Sequence, residues 1–213
     1  MSEMIQTIQP ENYSALIATV TTRDGDLSRV VKTLGEPPLW IRPAGFATLI
    51  HIILEQQVSI ASALAAFERL KIKLGEVAPE KFLKLSDDEL KSIGFSRQKI
   101  VYARDLAAAI VTGELDLGRL ENLPNEAVTL ELTKLKGIGR WTADIYLLMC
   151  LRRTDAFPVG DLGVIVGAQK LKNLPARPTA AELELVGENW RPLRAVATRI
   201  LWHFYLNQNK FNQ

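Results

Sequence analysis

Leu132-Thr133-Lys134-Leu135-Lys136-Gly137-Ile138-Gly139-Arg140-Trp141-Thr142-Ala143-Asp144 reads as the end of one helix, a Gly-x-Gly turn and the start of a second helix. Gly137 and Gly139 permit backbone conformations and close approaches that a Cβ obstructs. The N–H groups that open the second helix have no acceptor within it, and the helix dipole makes that end attractive to an anion. Such a hairpin can hold a phosphate. The run Phe157-Pro158-Val159-Gly160-Asp161 follows and delivers one carboxylate at what reads as another helix start. A phosphate-binding turn followed by a lone acid points to chemistry on a nucleic acid.

Outward from the hairpin the pattern is helical nearly throughout. Asn125 to Leu135 and Arg140 to Leu151 are the two helices of the hairpin. Toward the N-terminus, Pro10 and Glu11 open a short helix, and the Asp24-Gly25-Asp26 turn leads into another. Gly35-Glu36-Pro37-Pro38 interrupts the pattern. A strongly apolar helix is predicted from Pro43 through Phe46, Leu49, Ile50, Ile53 and Leu54, and a second from Ser59 to about Gly75. Ser86-x-x-Glu89 and Thr179-x-x-Glu182 have capping-box spacing, and Ser96 is placed to cap a helix through Ile100, Ala103 and Leu106. Trp190-Arg191-Pro192 bends the chain into a last helix through Val196, Ile200, Leu201 and Phe204. No alternating strand and no repeat stands out, so the fold class is all-α, with roughly ten helices.

Composition narrows the chemistry. With 47% hydrophobic and 23% charged residues in 213, the chain has the make-up of a globular protein rather than a disordered one. The net charge of +2 is a slight lean toward polyanions and decides nothing alone. Cys150 is the only cysteine, which excludes a disulfide framework and a four-cysteine iron–sulfur cluster. Two histidines, His51 and His203, are too few for a His-rich metal centre. Met1-Ser2-Glu3-Met4 carries no signal-peptide pattern, and the apolar stretch from Phe46 to Leu54 is too short to span a bilayer. The expected location is the cytoplasm.

The pattern Leu-x-Gly137-Ile138-Gly139-Arg140-Trp141-Thr142-Ala143 followed by Asp161 resembles the helix–hairpin–helix DNA glycosylases, and within them the 3-methyladenine DNA glycosylase II branch. The resemblance runs over roughly residues 40 to 206 and includes Leu54-Glu55-Gln56-Gln57-Val58-Ser59 and Trp190-Arg191-Pro192 … Leu201-Trp202. The branch's best-known member carries a further N-terminal β-rich domain, so this chain resembles the compact form. The resemblance implies two helical lobes with a DNA-binding cleft between them. One lobe would comprise about 1–45 plus 155–213, and a central lobe about 46–154 would carry the hairpin at 132–144.

The same resemblance assigns roles. Asp161 is the residue that assists base removal, although a carboxylate at that position also reads as an ordinary helix N-cap. Trp141 and Trp202 match positions that line the base pocket, with Leu162 and Ile145 where bulkier pocket residues often stand; a core aromatic is the lesser reading of Trp141. Members that also cut the DNA backbone place a lysine where Trp141 stands, so the expected activity is hydrolysis alone, leaving an abasic site. Gln57 matches the side chain that wedges into the gap left by a flipped nucleotide, while the Gln56-Gln57 pair also reads as a simple polar helix junction. Gly137, Ile138, Gly139 and Arg140 would grip phosphate, with Lys134, Lys136, Arg152 and Arg153 as further basic residues nearby. Main-chain carbonyls of Thr133, Leu135 and Ile138 would hold a monovalent cation, Na+ or K+; no other cofactor is implied. The partner is double-stranded DNA with a damaged base, met by a monomer. Three readings remain at this point: an alkylpurine glycosylase, a glycosylase for uracil, mismatched thymine or an oxidised purine, and a non-catalytic helix–hairpin–helix DNA-binding module.

Overall fold

The computed structural model describes residues 6–211. The sequence reading of Met1 to Met4 lies outside them. The described residues form fourteen helices and no strand: α1 Pro10–Arg23, α2 Gly25–Leu34, α3 Phe46–Glu55, α4 Ile60–Leu74, α5 Pro79–Leu83, α6 Asp87–Ile93, α7 Arg97–Val111, α8 Leu117–Leu120, α9 Asn125–Thr133, α10 Arg140–Met149, α11 Leu162–Leu171, α12 Ala180–Glu188, α13 Arg194–Leu206 and α14 Gln208–Phe211. One isolated bridge pairs Thr7 with Arg153. The all-α expectation holds. No described helix is long and apolar enough to cross a membrane.

Side-chain caps start several of the helices. Ser86 Oγ accepts from Glu89 N at 3.2 Å while the Glu89 carboxylate accepts from Ser86 N at 2.8 Å, a closed capping box that starts α6. Thr179 and Glu182 do the same for α12. Ser59 and Ser96 cap α4 and α7 as their positions suggest. The apolar helix expected from Pro43 begins instead at Phe46, because Gly45 adopts φ 135°, a conformation that ends any helical run before it. Helices α5, α8 and α14, of four or five residues, were not expected; they are too short to show a periodicity.

The chain divides into two compact units, residues 1–41 with 147–213, and residues 42–146, the division falling inside α10. In the first unit α13 packs on α11, α1 and α2. Its residues from Arg194 to Leu201 are all buried. Asp24 fastens this unit. It caps α2 through the Asp26 and Leu27 N–H groups, and accepts from Lys172 Nζ at 2.6 Å and from Trp190 Nε1 at 2.8 Å. Burial pushes the Asp24 carboxyl up, but these donors hold it below the usual carboxylate range. In the second unit α3 packs against α4 and α7, with α5 and α6 also on α7. Seven of the ten α3 residues are buried, all but Thr48 apolar, and burying such apolar side chains is worth roughly 1.5–3 kcal/mol each. His51 is a helix-face histidine stacked on Phe67, with centroids 4.4 Å apart, and burial depresses its pKa. Cys150 is buried.

Candidate active site

The acid is built by a tight turn. Asp161 N donates to Pro158 O at 2.9 Å and Val159 N to Phe157 O at 3.0 Å, which compacts 157–161 in front of α11. The turn is anchored by Phe157, buried edge-on against Trp190 with ring centroids 5.7 Å apart. Asp161 is the N-cap of α11, its Oδ1 accepting from Val164 N at 3.0 Å. The capping role is therefore real. The same oxygen also accepts from Trp202 Nε1 at 2.8 Å, a contact no cap requires. Gly163 makes room for it, since a Cβ there would stand 3.0 Å from Trp202 Cδ1.

The structure thus joins Asp161 to Trp202, forty-one residues apart. It adds a residue that the sequence did not single out. Trp40 meets Trp202 edge to face, with centroids 6.2 Å apart and an interplanar angle of 75°. Trp40 lies outside the helices, and its carbonyl is held by Arg199 Nη2 at 3.2 Å. Arg199 is fully buried, and its other guanidinium bonds run to the carbonyls of Ala195 at 3.0 Å and Leu148 at 2.9 Å. Burial lowers its pKa to about 10, so it stays charged near neutrality. Its forked donors are suited to collecting several carbonyls. A carboxylate fixed by two N–H donors beside a pair of indoles can stabilise a positive charge that develops next to it, and indole faces favour a cationic ring.

The hairpin belongs to the 42–146 unit. Gly137 has φ 79°, and a Cβ there would fall 2.0 Å from Tyr102 Cγ, so both backbone conformation and space demand glycine. Gly139 is different: nothing lies within 4 Å of a Cβ built on it. Ile138 is buried, its N–H donating to Leu135 O at 3.2 Å. Arg140 is exposed, and its Nε reaches both oxygens of buried Asp144 at 2.9 and 3.0 Å. Trp141 is half-buried in the first turn of α10, and Ile145 is buried in the core. Leu162, next to the acid, is exposed.

The glutamine pair is split. Gln57 is exposed with φ 57°, a left-handed conformation uncommon outside glycine. Gln56 is half-buried, and its Nε2 donates to Gly137 O at 2.8 Å and Thr142 Oγ1 at 3.1 Å. Lys99 Nζ donates to Leu54 O at 2.6 Å, at the end of α3 just before the pair. The other basic residues separate too. Lys134 pairs with Glu131, Arg152 donates to Gln9 Oε1 at 2.6 Å, and Arg153 is 2% exposed, which removes it from any surface contact with phosphate. Among the described residues no three His, Cys, Asp or Glu side chains converge as a metal site.

A DNA-3-methyladenine glycosylase of Schizosaccharomyces pombe is 32% identical over 161 residues, covering 74% of this chain and 71% of its own. The structure of an S. pombe 3-methyladenine DNA glycosylase in complex with abasic DNA superposes with a TM-score of 0.82 at 29% identity, covering 88% of this chain and 95% of that one. A DNA-3-methyladenine glycosidase from Bacillus halodurans superposes with a TM-score of 0.78 at 31% identity, covering 95% and 93%. The matched span of residues 50–192 takes in both the hairpin and Asp161, and the chain belongs to the HhH-GPD superfamily of base excision DNA repair proteins.

Proposed function

We propose that the chain is a monofunctional DNA glycosylase that flips alkylated purines of the 3-methyladenine and 7-methylguanine type out of duplex DNA and hydrolyses their N-glycosidic bond. The observation that carries this reading is the 2.8 Å contact of Trp202 Nε1 with Asp161 Oδ1, which sets a carboxylate and an indole side by side. An N3- or N7-alkylated purine carries positive charge, so stacking on Trp202 or Trp40 gains about 0.5–2 kcal/mol from cation–π attraction. As the bond from C1′ to the purine nitrogen breaks, its electron pair leaves with the base, which departs neutral. The ionised Asp161 carboxylate stabilises the cationic sugar. Water then bonds to C1′, and Asp161 takes its proton. Trp141 stands where a strand-cleaving relative would place lysine, so the product is an abasic site.

Gln57, held exposed at the end of its turn, is the wedge that fills the stack when the nucleotide leaves, offsetting an unstacking cost of a few kcal/mol. The hairpin around Gly137 to Arg140 grips one phosphate strand. The carbonyls of Thr133, Leu135 and Ile138 would hold a Na+ or K+; the Leu135 carbonyl already accepts from Ile138 N, and a carbonyl has a second lone pair to offer. The protein acts as a monomer on DNA in the cytoplasm.

The test is base release from methylated duplex DNA, analysed by chromatography. Wild type should release 3-methyladenine and 7-methylguanine, leaving abasic sites without direct strand cleavage. Asp161→Asn keeps an oxygen for Val164 N and Trp202 Nε1, so it should fold normally and lose about 10²–10⁴-fold in excision rate. Full activity in Asp161→Asn would falsify the mechanism. Binding of DNA without release of any base from a panel including uracil, mismatched thymine and oxidised purines would instead mark a binding module.

A further inference from the structure

The Gly137 carbonyl can only accept a hydrogen bond, so the Gln56 amide must present its nitrogen to the hairpin. That nitrogen bridges two parts of it: the turn itself at Gly137, 2.8 Å away, and Thr142 Oγ1 on α10, 3.1 Å away. Thr142 is 1% exposed, so its hydroxyl is a fixed partner. The other end of the same short segment is tied as well, by Lys99 Nζ on the last carbonyl turn of α3 at 2.6 Å. Between these anchors and Ser59, which starts α4, Gln57 is left in a left-handed conformation with its side chain exposed. A non-glycine residue persists there only where its neighbours determine the backbone. All these groups lie in the 42–146 unit.

We infer that Gln56 is a positioning residue that registers the Gln57 turn against the hairpin, so that a hairpin seated on phosphate presents Gln57 at a fixed place along the duplex. The inference rests on the reading of Gln57 as the wedge. Gln56 touches neither base nor phosphate in this role and acts through Gln57. Its contribution therefore belongs to flipping and excision rather than to the grip on undamaged DNA.

A double-variant cycle on the full chain tests this, using single-turnover excision of 7-methylguanine from methylated duplex and, separately, affinity for undamaged duplex. Gln56→Met preserves the shape of the side chain and removes both donors. It should slow excision about tenfold, with affinity for undamaged duplex unchanged within about twofold. Thr142→Val, which removes one acceptor without touching the turn, should slow excision by about threefold. Gln57→Gly should slow excision by itself, and Gln56→Met should then cost nothing further in that background. If Gln56→Met and Gln57→Gly multiply, or if Gln56→Met weakens undamaged-duplex binding as much as excision, Gln56 merely supports the hairpin and the inference is overturned. Should Gln57→Gly leave excision unchanged, the wedge reading falls and this inference with it. Should Gln57→Gly slow excision while Gln56→Met and Thr142→Val do not, the wedge stands and only the inference fails.

Discussion

Asp161 and the hairpin turn are held in place by different means. The acid sits in the 1–41 and 147–213 unit, where Val164 N and Trp202 Nε1 converge on one carboxylate oxygen. Behind it lie the buried α13 and Arg199, with three carbonyls on its guanidinium. The hairpin sits in the 42–146 unit, where one glycine closes onto the Tyr102 ring and one amide, from Gln56, bonds its carbonyl. The acid can lose one donor and keep its place through the other. The turn has no such redundancy at Gly137, because its backbone angle and its lack of a side chain are both required. The acid is thus placed by overlapping hydrogen bonds, and the turn at Gly137 by a tight steric fit.

The sharpest way to break that contrast is Gly137→Ala. The new methyl would fall 2.0 Å from Tyr102 Cγ and Cδ2, atoms at the base of the ring rather than a flexible tip, and φ would have to stay near 79°. Strain of a non-glycine residue there and the displacement of Tyr102 should together cost about 2–4 kcal/mol. Chemical denaturation would read this as an earlier midpoint, with duplex affinity falling in parallel. A variant as stable as wild type would mean that the turn relaxes easily and that the steric fit is not what holds it.

The contrast also explains what was legible in the sequence. The hairpin, its two glycines and the acid are local patterns: a cap three residues from its donor, a turn between two helices. Such features need no knowledge of the rest of the chain. Trp40 and Gln56 were not legible as site residues, because what gives each its role lies far away in sequence, at Arg199 and Gly137. Trp40 follows a proline-rich break with no periodicity, and nothing local marks it out. Arg199 carries a helix-face pattern like its neighbours, so its burial as a charged group could come only from packing. Arg153 shows the converse. A basic residue beside the hairpin helix looks like a phosphate contact until its burial is known. Helix α8 does carry a local signal, Asp116 capping Gly118 and Arg119.

Redundancy around the acid predicts a smaller, functional effect for Trp202→Phe. An aromatic ring would remain on the Trp40 side, while the Nε1 donor to Asp161 would go. Val164 N would still hold the same oxygen at 3.0 Å. A hydrogen bond to a charged group contributes about 1.5–3 kcal/mol, and half-exposure of Trp202 places the loss at the lower end. Excision should fall about tenfold, with the denaturation midpoint barely moved. A loss as deep as that of Asp161→Asn would show that Trp202 Nε1 alone orients the carboxylate, and that the helix cap is incidental to it.

The smallest effect is expected at Gly139→Ala, two residues from the largest. Gly139 has no positive φ, and no atom lies within 4 Å of a Cβ built there, so the free protein has no steric need for glycine. Alanine should leave stability within about 0.5 kcal/mol of wild type, or slightly raise it by restricting the unfolded chain. Any need for glycine at 139 must then come from outside the chain, from a phosphate approaching the opening of α10 more closely than a methyl allows. Duplex affinity should fall severalfold while denaturation is unchanged, and the loss should persist when salt is varied, because a steric obstacle releases no counterions. Unchanged affinity would move the strand's point of contact away from Gly139, toward the exposed guanidinium of Arg140.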